Sequence, residues 1–175
     1  MAEFQRYTTA INTFRDKYFA LPGDMTNATQ FWGAQHATPA TCQTTASTTA
    51  LTCDGNGDGQ IGDGTYEMFR FWQHLANAGL IEGTYTGVKS GASAFSHAAG
   101  TNAPSSKLRL AVWGFSYINT PSGDGSTYAG NYGNMFWFGA TDTGQRPQGS
   151  ILKPEEAWNI DTKIDDGKPG TGKFI

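Results

Sequence analysis

Between residues 3 and 21 the apolar positions Phe4, Tyr7, Ile11, Phe14, Tyr18 and Leu21 recur at intervals of 3, 4, 3, 4 and 3, which places them on one stripe of an α-helix. Pro22-Gly23 ends that pattern, and Asp24 stands where it would cap a short helical turn over residues 25–32, closed by Gly33. A second helical stretch runs over residues 65–78, with Met68, Phe69, Trp72, Leu75 and Ala76 on one side, Gly79 as terminator and Leu80-Ile81 tucked into the core. In residues 107–118, Leu108, Leu110 and Val112 alternate with Lys107, Arg109 and Ala111 before the run becomes apolar on both faces. That predicts a strand entering a sheet, with residues 134–140 as its antiparallel neighbour. Pro154 suits the first turn of a last helix, with Glu155 and Glu156 near its positive end, Ala157, Ile160 and Ile164 on one face and Gly167 as cap. The order is α+β, with no internal repeat and no interdomain linker, and predicts one domain over residues 1–175.

Charge narrows the partners. The chain has 175 residues, a formal net charge of -3 and only 15% charged residues, which disfavours nucleic acid or an anionic membrane surface as a partner. Its 23 glycines and 13% aromatic residues describe a loop-rich exterior around aromatic anchors. No apolar run of membrane-spanning length and no signal peptide stands in it. The sequence opens directly inside the amphipathic pattern, so any export signal is expected upstream. Cys42 and Cys53 bracket TTASTTALT, a run with neither helical nor strand periodicity. A pair flanking such a loop gains most from oxidation, roughly 3 kcal/mol in the chain-entropy model. No further Cys or well-placed His completes a zinc set, so the two are expected to be bonded to each other in an exported protein.

Directly after Cys53, the run DGNGDGQIGDG sets three acids and an Asn among five glycines. With Asp54 as position 1, acceptors fall at positions 1, 3 and 5, glycine at 6 and Ile61 at 8, as in the first two thirds of an EF-hand loop. Asp54, Asn56, Asp58 and the Gln60 carbonyl are the expected calcium ligands. Position 12 is Thr65 rather than Glu, which leaves Asp63 or Glu67 to complete the shell. The competing reading is a solvated Asx-rich turn.

Other chemistry is weaker. The motif G-x-x-x-x-G-K ending at Lys173 is followed by Phe174 instead of Ser or Thr, against a phosphate loop. His36, His74 and His97 are isolated, and Asp165-Asp166 and Glu155-Glu156 are adjacent acids of the kind that form solvated faces, so no catalysis is expected. The glycine-rich loop over residues 121–133 is expected to expose Tyr128 and Tyr132 to a partner. With Trp113, Tyr117 and Trp137 they supply the alternative reading, a secreted or surface carbohydrate-binding module or adhesin.

Three segments are more specific in their phrasing: FRDKYFALPGDMTNATQFWG at residues 14–33, CDGNGDGQI at 53–61 and EEAWNIDTKIDDGKPGTGK at 155–173. Together they resemble type IV pilin-like proteins, the pilin and pseudopilin group. The resemblance implies a filament subunit of a type IV pilus or a type II secretion-type pseudopilus, with copies of itself and other pilin-like subunits as partners. It further implies that a hydrophobic helix, leader and prepilin-peptidase site, none of which matches a position here, precede residue 1. That helix would anchor the protein in the bacterial inner membrane before assembly into a periplasm-spanning or cell-surface filament. Residues 1–21 would be the soluble half of the long helix, laid on the antiparallel sheet of the head.

Overall fold

The computed structural model describes residues 2–123, 127–142, 144–168 and 170–172. Residues 124–126 of the expected partner loop, Pro169 and Lys173 of the G-x-x-x-x-G-K run, and the Phe174 that follows it lie outside the described residues. The fold is mixed: α1 (Ala2–Tyr18), α2 (Ala28–Trp32), α3 (Pro39–Thr44), α4 (Glu67–Asn77), β1 (Ala111–Thr120), β2 (Gly130–Ala140) and α5 (Pro154–Ile164). None of these helices is long and apolar enough to cross a membrane.

The predicted stripe of α1 is buried only in part: Tyr7 and Phe14 are inside, Ile11 and Tyr18 are half-buried, Phe4 is exposed, and Ala10 joins the buried face from outside the stripe. The Tyr7 ring meets Trp72 and Trp113 edge-on at 5.2 and 5.5 Å. The helix ends at Tyr18 rather than 21, because Phe19 turns into the left-handed region at φ 55°. Pro22 disfavours helical geometry at Leu21, so the helix must be left before it, and Phe19 makes that exit with its side chain in solvent.

Gly23 then crosses α4 at a distance no side chain allows. Its φ is +86°, and a Cβ built on it would stand 2.6 Å from the Glu67 carbonyl oxygen and 3.0 Å from the Phe71 nitrogen, both backbone atoms of α4 or its first turn. Replacing Gly23 with Ala is therefore expected to cost about 2–4 kcal/mol, from strain at positive φ together with displacement of the α4 crossing. Urea unfolding of the variant checks this, and a midpoint matching wild type would contradict it.

Helix α4 is the axis of the core. Met68, Phe69, Phe71, Trp72 and Leu75 are fully buried, and so are Arg70, Gln73 and His74, which lie outside the predicted apolar side. The polar flank is covered by the segment that runs from Cys42 on α3 to Cys53 in the loop that follows, whose carbonyls accept from Arg70 and Gln73.

β1 and β2 form a two-stranded antiparallel ribbon, registered from Ala111 opposite Ala140 to Thr120 opposite Gly130, with an irregularity between Ile118 and Asn119. It packs on α4 through Phe115, whose ring stacks on Phe71 at 4.0 Å. The strand predicted from residue 107 begins only at Ala111. Leu110 sits at φ 69°, a turn that swings the chain, and Leu108 and Leu110 are left exposed rather than alternating into a sheet. The preceding segment instead docks on α1, where Glu3 accepts hydrogen bonds from the Ser106 hydroxyl and the Lys107 N–H.

In α5, Pro154 occupies the first turn and Glu156 accepts the Lys153 N–H at 2.8 Å, as expected of an acid near the positive end. The predicted apolar face is not the buried one: Ile164 is exposed and Ala157 and Ile160 half-buried, while Asp161 is buried. The C-cap is Asp165 rather than Gly167, which forms the next turn at φ 71°.

Candidate functional site

The disulfide expected from the sequence is present: Cys42 and Cys53 are bonded, with Cα atoms 5.8 Å apart. Cys42 rides on α3, a helix begun by Pro39 that the sequence pattern does not announce. The enclosed loop is also held from below. The Arg70 guanidinium donates to the carbonyls of Cys42 and Thr45, each at 2.9 Å, and to Gln73 Oε1 at 2.7 Å. Gln73 donates to the Leu51 carbonyl, and the Thr52 hydroxyl donates to Gln73 Oε1 at 2.7 Å.

His74 completes this network. The Gly23 N–H donates to its Nδ1 at 2.9 Å, so the proton of the neutral ring is on Nε2, which faces the Thr52 hydroxyl at 2.9 Å. Burial, with a smaller contribution from the Arg70 charge, pushes the His74 pKa down to about 3. His97 is also held below the usual imidazole range by burial, and its Nδ1 pairs with the Phe95 carbonyl. His36 accepts the Thr38 N–H at the surface. The three histidines thus stand at separate posts.

Beyond Cys53 the acidic stretch curls, but its carboxylates turn toward backbone N–H groups. Asp54 accepts the Thr29 N–H at 2.7 Å and the Thr29 hydroxyl at 3.0 Å. It thereby caps α2 from a distance, and Asp24, expected in that role, does not do so: the N-cap is Asn27, without a side-chain cap bond. Asp24 instead reaches into the acidic loop and accepts the N–H groups of Gly57, Asp58 and Gly59 at 2.6, 3.1 and 2.9 Å. Gly55 makes this approach possible, since a Cβ there would stand 2.4 Å from the Asp24 backbone. Glu67 is buried under the loop and accepts the N–H groups of Asn56 and Gly62, both at 3.1 Å. Burial raises the pKa of both Asp24 and Glu67, against the lowering effect of these N–H groups.

The rest of the loop is tied in similar ways. Asn56 Oδ1 accepts the Asp58 N–H, Asn56 Nδ2 donates to Asp58 Oδ2, and Asp58 Oδ1 accepts the Gln60 N–H. Asp63 is drawn outward into a two-pronged ion pair with Arg146, whose guanidinium lies over the rings of Phe95 and Trp137. Asn134 of β2 pins the loop to the ribbon, accepting the Ile61 N–H and donating to the Gly59 carbonyl, each at 2.9 Å. Of the six residues expected to hold calcium, five therefore share one loop, and Glu67 approaches it from the first turn of α4. Asp54, Asp63 and Glu67 are engaged with Thr29, Arg146 and the loop's own N–H groups, while Asn56, Asp58 and Gln60 lie on its exposed rim.

Asp24 is the member that sequence spacing misses. It lies thirty residues before Asp54 in the chain, and the signal that could have found it is the glycine at alternate positions of the loop, which frees consecutive N–H groups for an anion.

The partner tyrosines divide. Tyr128 is exposed and has the backbone of Gly170 against its ring, whereas Tyr132 is half-buried and donates its hydroxyl to the Tyr128 carbonyl. Trp113 and Trp137 belong to the interior, at 6% and 8% exposure, and form no surface platform with them. Alongside α1 runs a broad groove of about 2030 Å³ bordered by Phe4, Ile11, Phe136, Leu152 and Ile160. Comparison of the chain with protein-family models, with curated proteins and with solved structures returns no match.

Proposed function

We propose that this chain is the head domain of a pilin-like filament subunit, part of a type IV pilus or a secretion-type pseudopilus, with a structural rather than catalytic role. The observation that carries the reading is the setting of α1. Its buried face of Tyr7, Ala10 and Phe14 is laid on the head, and its other flank borders a broad groove lined by both apolar and polar side chains. A helix placed in this way can be continued by an apolar segment that packs with its equivalents in other copies, and a head-to-tail contact repeated without closure makes a fibre. The disulfide and the self-supporting acidic loop suit a head that must stay folded outside the cytoplasm.

The full-length gene product, expressed with its neighbouring genes, is expected to appear in sheared surface fibres or a periplasm-spanning filament labelled by antibody to this domain. Finding it only as a dispersed soluble protein would reject the reading. The chain of 175 residues alone is expected to sediment as a monomer, and ordered filaments formed from it alone would place the assembly contact elsewhere.

In this reading calcium binds on the rim of the acidic loop through Asn56, Asp58 and the Gln60 carbonyl, bracing a fold that already holds Asp24 and Glu67. Asp58→Ala is expected to remove the calcium-dependent part of the melting temperature contributed there. If wild type and variant gain equally from calcium, the loop is a metal-free turn. The carbohydrate-binding alternative rests on Tyr128, the one aromatic of the proposed platform with a largely open ring. A glycan array with binding lost in Tyr128→Ala would favour it.

A further inference from the structure

At the C-terminal end of α5, three carboxylates meet. Asp161, Asp165 and Asp166 each bring an oxygen to within 4.8 Å of the others. Ordinary electrostatics opposes the arrangement. Asp161 and Asp165 are like charges four residues apart, and all three sit at the negative end of the helix dipole. Burial aggravates it, since Asp161 is only 4% exposed and its Oδ1 has no hydrogen-bond partner among the described residues. A buried carboxylate oxygen without a partner costs several kcal/mol unless something compensates it.

The chain around the cluster is shaped to enclose it. Gly167, Gly170 and Gly172 all have positive φ, and they carry the segment back over α5. Gly172 comes so close that a Cβ on it would stand 2.1 Å from Asp165 Oδ2. Asp166 is oriented by the Lys168 N–H at 2.9 Å and the Thr171 hydroxyl at 2.7 Å, both from the same turn.

We propose that Asp161, Asp165 and Asp166 bind a divalent cation, calcium in preference to magnesium, which ties the end of α5 to the turn that follows it. Oxygens that share a calcium at about 2.3–2.6 Å are at most about 5 Å apart, and the three carboxylates meet that limit as they stand. The cation reverses these unfavourable features at once: it separates the like charges, opposes the dipole and compensates the buried Asp161 carboxylate. One carboxylate is buried, one half-buried and one exposed, which leaves positions for water or backbone carbonyls. An irregular oxygen shell of that kind suits calcium, whereas magnesium requires a near-octahedral one. The site is separate from the loop at Asn56 and Asp58 and does not depend on the filament reading.

Terbium, which replaces calcium on oxygen ligands, reads the site locally. Trp158 lies on α5 with its indole nitrogen 3.7 Å from where a Cβ on Gly167 would stand, so excitation of tryptophan should sensitise terbium held here. The expected result with the 175-residue chain is terbium emission displaced by calcium more effectively than by magnesium, lost in Trp158→Phe and retained in Asp58→Ala. Asp161→Asn and Asp165→Asn should each weaken calcium affinity by about tenfold or more, measured by calorimetry. Circular dichroism of both variants shows whether either has unfolded; the half-buried Asp165 is the milder change and carries the test if Asp161→Asn does not fold. Emission and calcium affinity unchanged in Asp165→Asn would overturn the proposal. So would a signal abolished by Asp58→Ala alone, or a wild-type protein indifferent to calcium, magnesium and terbium.

Discussion

Replacing Arg70 with Met is expected to destabilise the protein by about 3 kcal/mol and to loosen the disulfide loop more than the rest of the fold. The side chain is fully buried and faces oxygen acceptors: the Cys42 and Thr45 carbonyls and Gln73 Oε1. Burial lowers its pKa to about 10, which leaves it charged at neutral pH. Methionine fills much of the same volume without the charge, so part of the desolvation cost of Arg70 is recovered. The two loop carbonyls lose this donor, and buried acceptors left without one cost about 1–3 kcal/mol each. Gln73 Oε1 suffers less because Thr52 still donates to it. Urea unfolding measures the global loss, and hydrogen exchange in residues 43–52 measures the local one. Unfolding free energies within about 0.5 kcal/mol of each other would show that the network is incidental. Because the Cys42–Cys53 bond restrains the same loop, reduction and Arg70→Met should be non-additive when combined.

That network marks the boundary of what periodicity can read. The stripe of α1, the apolar side of α4, the pairing of β1 with β2 and the start of α5 at Pro154 follow from local pattern, since each is set by residues a few positions apart. The burial of Arg70, Gln73 and His74 does not. It depends on a loop that offers carbonyls from more than twenty residues away, and a polar helical face reads as solvent until the loop over it is known. Leu108 and Leu110 show the converse failure, as their alternation is interrupted by one left-handed turn that no spacing rule reports. In the acidic loop the disulfide and the glycine-carboxylate alternation were legible, but not the direction the oxygens face. Thr29, Arg146 and Asp24 take part from distant segments, and it is their donors and acceptors that decide which carboxylate is engaged. At the end of α5 the reverse holds: a pair of acids that reads as a solvated face is joined by Asp161 from the buried side.

Acid is expected to weaken the fold through His74 before the carboxylates respond. In the folded state the ring is held neutral, with a pKa near 3 against an ordinary value of 6.5, because burial among Phe14, Trp32 and the loop leaves no water for an imidazolium. Its Nδ1 accepts the Gly23 N–H, so a proton added there would set donor against donor. Below pH 6.5 the unfolded chain takes up a proton that the folded one refuses. The His74 contribution is therefore fully present above that pH and falls as pH drops, by up to about 1.4 kcal/mol per unit. His97, also lowered by burial, acts in the same direction. Asp24 and Glu67 act in the opposite one, because their folded pKa values are raised: in the window between their unfolded and folded values the folded state takes up the extra proton, and stability recovers there as pH falls. Since carboxylates titrate lower, the His74 slope should be clearest between about pH 6.5 and 5. His74→Asn, whose side-chain oxygen can still accept from Gly23, is expected to be less stable at neutral pH but to show a flatter profile across that interval. Urea unfolding in a pH series compares the two, and equal slopes in wild type and variant would assign the acid sensitivity to other groups.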